Sequence, residues 1–216
     1  MNITHEIEVC RKCMSFESPN RLNTSEKPYV KFQVEQRWIR KDKEGKPNIS
    51  VLFIAESPPW NGKQNYFYNP DTPKKRSGLR VEVFKRLNID SLKQFKSNGY
   101  FLIDSIKCRL KKRAIINVKE KSLPVPQKAL KTCSEQFLRR EIKELKPKII
   151  FVLGGSAKKA LQQYSEFRKL QFHSVTEKDD FDEELSKYRV ILCPFPSRWN
   201  LLRYKDKINR AFSKIV

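Results

Sequence analysis

The sequence predicts an α/β protein in which helices cover both faces of a parallel β-sheet. Near-continuous apolar runs recur along the chain, and stretches with helical periodicity separate them. An unbroken apolar run is typical of a strand covered on both faces, and alternation of strands with helices indicates parallel connections. The chain has 216 residues, enough for a core that needs no disulfides, so we predict a single domain over 1–216.

Four apolar runs are predicted as core strands: ISVLFIAE at 49–56, YFLIDSI at 100–106, KIIFVLG at 148–154 and YRVILCPF at 188–195. Apolar residues at three-and-four spacing predict helices at 79–89, 127–145 and 156–164. The carboxyl ends of parallel strands share one edge of the sheet, where open α/β sheets bind their ligands. Those ends carry AESPPW, DSIKC, GGS and PFPSRWN, so we expect the functional site at that edge.

Two segments are interpreted as loops from their charge. Residues 109–132 contain eight Lys or Arg and one acid, Glu120, and end in a turn punctuated by prolines, which indicates a basic insert. Residues 174–187 are acidic, and we expect them to face solvent.

The charge of the chain favours a polyanionic partner. Lys and Arg number 46 against 24 Asp and Glu, which gives a formal net charge of +22. Nucleic acid is the leading candidate, although a basic proteome or a membrane-surface role gives the same sum. The sequence has no apolar run of about 20 residues, and its first ten residues include acids. We therefore expect a cytoplasmic protein without a membrane span, and we infer no obligate protein partner.

The five cysteines indicate metal ligation, because a reducing compartment disfavours disulfides. Cys10 and Cys13 form CRKC, a spacing that lets two thiolates face one metal centre. Cys108 follows a strand end and Cys133 lies near the start of a long helix, so both can reach the same end of the sheet. Four thiolates there suit a structural zinc or a four-iron cluster, and the spacing does not separate the two. Cys193, inside the last strand, is interpreted as a small buried residue.

The order of these motifs resembles the uracil-DNA glycosylase superfamily, and most closely its iron-sulfur family, the fourth in the usual division. The resemblance rests on CRKC, VLFIAESPP, FLIDSIKCR, the cysteine before the helix that leads to LKPKIIFVLGGSAKKAL, and ILCPFPSRWN. It implies a three-layer αβα sandwich around a four-stranded parallel sheet. It also implies an enzyme that flips a base out of DNA and hydrolyses its N-glycosidic bond.

The resemblance assigns a [4Fe-4S] cluster to Cys10, Cys13, Cys108 and Cys133, with zinc as the alternative. One departure is the gap of 24 residues between Cys108 and Cys133, which is longer than in the family. The basic insert occupies this gap.

The first strand end supplies three residues by resemblance. Glu56 lies on the family's Glu, where a carboxylate positions water or stabilises the cationic sugar of the transition state. A helix cap or a surface ion pair is the alternative role. Ser57 takes a position that is an acid in some sister families. Pro59 stands where some relatives block substituents at pyrimidine C5, so a larger base is expected to fit.

The resemblance also implies a stacking platform and a grip on DNA. In NYFYNPDT, Phe67 is the candidate platform for the flipped base, with Tyr66 and Tyr68 as competitors and a core role as the alternative. The candidate DNA contacts are Lys111, Lys112 and Arg113 in the basic insert and Pro196, Ser197, Arg198 and Trp199 in the last strand-end loop. Pro196 and Ser197 are expected to hold a phosphate, and Arg198 and Trp199 to fill the gap left by the base.

Two departures from the family bear on chemistry. Phe195 stands where the family has a His that supports negative charge on the base's O2. Asp104 stands at the family's Asn, which reads the pyrimidine edge. An ionised Asp can only accept hydrogen bonds, so it meets the N4 amino donor of cytosine but faces the O4 acceptor of uracil. The mismatch with uracil costs about 1 to 3 kcal/mol in a desolvated pocket, and a protonated Asp104 can also donate to N3 of cytosine.

We therefore expect a glycosylase for a cytosine-type base, modified at C5 as in phage DNA, which suggests anti-phage defence. The alternatives are a uracil glycosylase of base-excision repair, a non-catalytic DNA-binding relative suggested by Phe195, and a zinc-stabilised RNA-binding domain. Asp104 can also be a structural residue near the cysteines, with uracil read by backbone groups.

Overall fold

The computed structural model describes residues 3–15, 22–23, 38–58, 67, 78–111, 113–116, 119–176 and 181–216. Within these ranges the strands are β1 Leu22–Asn23, β2 Val51–Ala55, β3 Tyr100–Asp104, β4 Arg109–Leu110, β5 Arg113–Ile116, β6 Lys119–Ser122, β7 Ile149–Leu153, β8 Asp182–Leu185 and β9 Tyr188–Cys193. Four predicted site residues lie outside the described part: Pro59, Tyr66, Tyr68 and Lys112.

The α-helices in the described ranges are α1 Ile3–Val9, α2 Leu79–Leu87, α3 Leu92–Ser97, α4 Gln127–Cys133, α5 Arg139–Leu145, α6 Gly155–Leu161, α7 Arg198–Arg203 and α8 Lys205–Ser213. A π-helical turn, Ser134–Leu138, joins α4 to α5, so the predicted helix over 127–145 is confirmed as one continuous helical segment. Short 3₁₀ helices lie at Lys12–Ser15 and Ser165–Phe172. None of the helices that the structure describes is long and apolar enough to cross a membrane.

The central sheet has the strand order β3-β2-β7-β9-β8. β3, β2, β7 and β9 are parallel and correspond to the four predicted strands, which confirms the fold class. Their side chains are almost all buried, because helices cover both faces of the sheet. Because these four strands are parallel, the chain leaves all of them at the same edge of the sheet.

The fifth strand corrects the prediction for the acidic segment 174–187. β8 lies inside it and pairs antiparallel with β9, so this part of the chain forms a sheet edge and not a solvent-facing loop. Phe181 and Leu185 are buried at either end of β8. One of its acids, Asp182, is paired across the strands, since the Arg189 guanidinium donates two hydrogen bonds of 2.7 Å to its carboxylate.

The basic insert also has more structure than its charge predicted. β5 and β6 form an antiparallel hairpin, and α4 begins at Gln127, still within 109–132. The isoleucines of β5 favour a strand, whereas the charge of the segment predicted a loop. β4 pairs with β1, and its first residue, Arg109, is 1% exposed. The predicted loop-like character of 109–132 is therefore wrong for most of its length.

Two helical layers enclose the sheet. On one face, Phe53 of β2 packs against Phe212 of α8, at a ring separation of 6.2 Å, and against Phe95 of α3, at 5.6 Å. α6 contacts β2, β7 and α4, which assigns it to the other layer. This three-layer arrangement agrees with the predicted αβα sandwich and fixes the directions of the four parallel strands.

Candidate active site

The ends of β2 and β3 bring two carboxylates to the same edge of the sheet. Ala55, the last residue of β2, is in register with Asp104, the last residue of β3. Glu56 follows Ala55 directly, so the two predicted catalytic residues lie on neighbouring strand ends. Both were expected at this edge, and the structure places both there.

Hydrogen bonds continue the β2–β3 ladder into the loops and hold the backbone around Glu56. The Ser105 N–H donates to the Ala55 carbonyl at 2.9 Å, and the Ile106 N–H donates to the Glu56 carbonyl at 2.8 Å. Further along, the Leu110 N–H donates to the Pro58 carbonyl at 3.2 Å. These bonds hold the backbone of Ala55, Glu56 and Pro58 against the chain that follows β3.

Glu56 is half-buried, and its carboxylate contacts a residue that the sequence reasoning did not select. The Ser156 hydroxyl donates a hydrogen bond to Glu56 Oε2 across a sequence separation of 100 residues. Ser156 lies in the first turn of α6, directly after the Gly154–Gly155 pair that ends β7. The signal was the GGS motif at a strand end, but nothing in the sequence specified its partner.

Asp104 is fully buried, and the chain beyond it is anchored by a second pair of residues that the sequence did not reveal. The Lys107 ammonium donates to the Asp104 backbone carbonyl and lies 2.5 Å from Glu141 Oε2 of α5. The Lys107 and Glu141 side chains are 1% and 2% exposed. This buried ion pair links the end of β3 to the helical layer. The sequence does not distinguish Lys107 from the other Lys and Arg residues of this basic chain.

Ser57 is buried beside these carboxylates, at 6% exposure. Its hydroxyl has no hydrogen-bond partner among the residues that the structure describes. A buried hydroxyl normally has a partner, so this group is suited to bind a ligand atom.

The four predicted cysteine ligands come together. Cys10 is half-buried, Cys13, Cys108 and Cys133 are buried, and all four line one small cavity with Lys107. The Cys13 thiol donates a hydrogen bond to Cys133, which raises the pKa of Cys13 and lowers that of Cys133 to about 7. The backbone N–H and the charge of Lys107 also lower the pKa of Cys133.

The side chains that line the cysteine cavity are not arranged as a metal site in the part of the chain that the structure describes. In the described ranges, no group of three or more His, Cys, Asp or Glu side chains could hold a metal ion. Four cysteine thiolates are a donor set that both a structural zinc and a [4Fe-4S] cluster use. Cys193 is a buried core residue, as predicted.

The loop after β9 forms the opposite side of the edge. The Ser197 hydroxyl caps α7 by accepting from the Asn200 N–H at 3.3 Å, and the Asn200 amide donates to the Phe195 carbonyl at 2.8 Å. A Cβ at Gly154 would lie 3.1 Å from the Phe195 Cβ, so glycine is needed where these two strand ends meet. Trp199 is 69% exposed, and α7 has no buried residue.

The remaining candidates are less clearly at the edge. Phe67 is 1% exposed and packs against Phe84 and Phe95, at ring separations of 5.8 and 5.3 Å. This is the packing of a core residue, the alternative role considered for Phe67, and its role as a stacking platform stays a prediction. Lys111 is half-buried and Arg113 lies in β5.

The fold is an αβα sandwich, and two carboxylates lie at the carboxyl ends of neighbouring parallel strands. Such a site suits hydrolysis through a positively charged transition state. Residues 43–216 match the family model of the Uracil DNA glycosylase superfamily. The chain therefore belongs to this superfamily, whose members are DNA glycosylases that hydrolyse N-glycosidic bonds. Among curated proteins, none matches the chain.

Proposed function

We propose that the protein flips a cytosine-type base out of DNA and excises it, that the base is a C5-modified cytosine of phage DNA, and that the role is anti-phage defence. The observation that carries the proposal is the register of Ala55 with Asp104, which puts Asp104 and Glu56 side by side at the sheet edge. A base between them meets a reader of its polar edge and a carboxylate near its sugar.

Asp104 is proposed as the base reader because of its burial and its chemistry. A carboxylate that is 0% exposed cannot exchange a poorly matched partner for water, so hydrogen-bond complementarity decides which base is bound. The N4 amino group of cytosine donates to this carboxylate, whereas O4 of uracil does not. The Lys107 bond to the Asp104 carbonyl supports the role by fixing the backbone from which the side chain projects.

Glu56 is proposed as the catalytic carboxylate. In the reaction, the bond between C1′ and the base nitrogen breaks and its electron pair leaves with the base. Water then adds to C1′, and one of its protons passes to the departing base. The sugar becomes cationic in the transition state, and the Glu56 carboxylate stabilises this charge and orients the water. Because Phe195 replaces the family's His, support for negative charge on the base's O2 passes to backbone amides or is lost.

The DNA grip is proposed for the two basic surfaces beside the edge. Ser197 and Pro196 precede the exposed helix α7, on which Arg198 and Trp199 are available to contact phosphate and to fill the space of the flipped base. The basic insert, with Lys111, Lys112 and Arg113, is proposed to add phosphate contacts. Binding to DNA should therefore weaken steeply with salt.

The cysteine cavity is proposed to hold a [4Fe-4S] cluster through Cys10, Cys13, Cys108 and Cys133. When bound, the cluster supplies a structural cross-link between the N-terminal segment, the chain after β3 and helix α4. The support is the convergence of all four cysteines on one cavity. The superfamily includes iron-sulfur members, and zinc remains the alternative occupant.

The test is a panel of single- and double-stranded oligonucleotides that carry cytosine, C5-modified cytosine or uracil, scored for abasic sites. We expect release of a cytosine-type base and its loss in Glu56→Gln. Release confined to uracil would replace this proposal with a uracil glycosylase of base-excision repair, the activity in the superfamily's name. Binding to DNA without release of any base would support the non-catalytic alternative suggested by Phe195.

A further inference from the structure

We infer that Ser156 is a positioning residue that orients the Glu56 carboxylate, an inference that rests on the proposed catalytic role of Glu56. The Ser156 hydroxyl donates to Glu56 Oε2 although the two residues come from different parts of the sheet edge, one after β7 and one after β2. The motifs on which the resemblance rests assign no role to Ser156. Its contact with Glu56 arises only from the fold.

The backbone around Ser156 is fixed independently of Glu56. The Gly154 N–H donates to the Cys193 carbonyl at 2.8 Å, which ties the start of α6 to the end of β9. Gly154 has a φ of +88°, a left-handed conformation that L side chains rarely adopt, and its α-carbon faces the Phe195 side chain closely. The direction in which the helix leaves the sheet is therefore set by strand ends.

Helix α6 is also anchored by its packing. Ala157 and Ala160 are fully buried against the sheet, and their small side chains allow the helix to approach β2 and β7. Ser156 is half-buried at the rim of this contact. Its hydroxyl is thus presented to Glu56 by a rigid element, which is the usual requirement for precise orientation of a reactive group.

The chemical consequence is control of the carboxylate's plane. A Glu side chain has three rotatable bonds, and a hydrogen bond to one oxygen selects the rotamers that keep the carboxylate at the sugar. Hydrogen bonds to charged groups are about twice as strong as neutral ones, and small misplacements of reacting groups cost large factors in rate. Removal of the Ser156 hydroxyl should therefore slow bond cleavage by about 10- to 100-fold.

The experiment compares single-turnover excision by wild type, Ser156→Ala, Ser156→Thr and Ser165→Ala. Thr keeps the hydroxyl. Ser165 is an exposed serine whose hydroxyl donates to the Glu166 carboxylate at 3.3 Å and not to Glu56, so it is the matched control. We expect a rate loss in Ser156→Ala with unchanged affinity for the oligonucleotide, recovery in Ser156→Thr, and no effect in Ser165→Ala.

A double-mutant cycle separates positioning from a structural role. In a Glu56→Ala background there is no carboxylate to orient, so adding Ser156→Ala should cause no further loss of rate. Losses that multiply, or a Ser156→Ala variant as fast as wild type, overturn the inference while leaving the proposed function intact. Wild-type protein that releases no base from the panel overturns both.

Discussion

Removal of one partner of the buried Lys107–Glu141 pair should strongly destabilise the protein. The ammonium and the carboxylate are 2.5 Å apart and 1% and 2% exposed, so neither charge can turn to water if its partner is lost. Lys107→Met removes the cation that lies beside the buried Glu141 carboxylate, and breaking such a pair typically costs about 3 to 5 kcal/mol in the free energy of unfolding.

The double replacement Lys107→Met with Glu141→Leu should recover most of that loss. Apolar residues of similar volume avoid the desolvation of both charges, and such exchanges are often neutral or stabilising. The remaining deficit should be about 1 kcal/mol, since the Asp104 carbonyl also loses the donor that Lys107 provides.

Urea denaturation followed by far-UV circular dichroism measures both effects. With a urea slope of about 2 kcal/mol per molar, the single variant should shift the midpoint down by roughly 1.5 to 2.5 M. Lys46→Met is the matched control, because Lys46 and its partner Glu44 are 71% and 69% exposed and the pair contributes little. A Lys107→Met variant that loses no more free energy of unfolding than Lys46→Met would contradict this prediction. A double variant that is at least as unstable as Lys107→Met would contradict it as well.

Three further predictions concern other parts of the molecule. Hydrogen bonds from Arg189 hold the pKa of Asp182 below its usual range, so the ionised Asp182 stabilises the fold at neutral pH and this stabilisation is lost on acidification. The difference in the free energy of unfolding between wild type and Asp182→Asn should therefore narrow as the pH falls from about 7 to about 3. A difference that stays constant contradicts this prediction. Cys133→Ser should lose iron and visible absorbance while Cys193→Ala keeps both, as metal analysis would show; zinc without iron in wild type excludes the cluster. Trp199→Ala should weaken duplex binding without changing the melting temperature, since the side chain is 69% exposed, and a lowered melting temperature would assign it to packing instead.

The parallel strands were predictable because their side chains are buried on both faces and the sequence records this as unbroken apolar runs. β8 was not, because Asp182 pairs with Arg189 of the neighbouring strand, and such cross-strand pairing cannot be recognised in a run of charges. The hairpin of β5 and β6 was not predicted for a related reason. Its isoleucines lie among many Lys and Arg, and a dense run of charges is typical of a loop.

The site was predictable where strand ends carry its residues and not where distant elements meet. Glu56 and Asp104 follow apolar runs, so topology alone brings them together. Ser156 and Lys107 contact Glu56, Asp104 and Glu141, and these contacts depend on how the helices pack over the sheet. Phe67 was selected as an aromatic residue among loop signals, but its ring lies in the core, where aromatic residues are also abundant.

The ratio of excision rates for cytosine-type and uracil-containing oligonucleotides, measured in wild type and Asp104→Asn, decides whether Asp104 reads a cytosine-type base. Asn has nearly the same shape but can donate to O4 of uracil as well as accept from N3–H. Wild type should favour the cytosine-type base and Asp104→Asn should favour uracil, with a change in the ratio of about 10-fold or more. A wild-type enzyme that prefers uracil, with a ratio that Asp104→Asn leaves unchanged, would contradict the account.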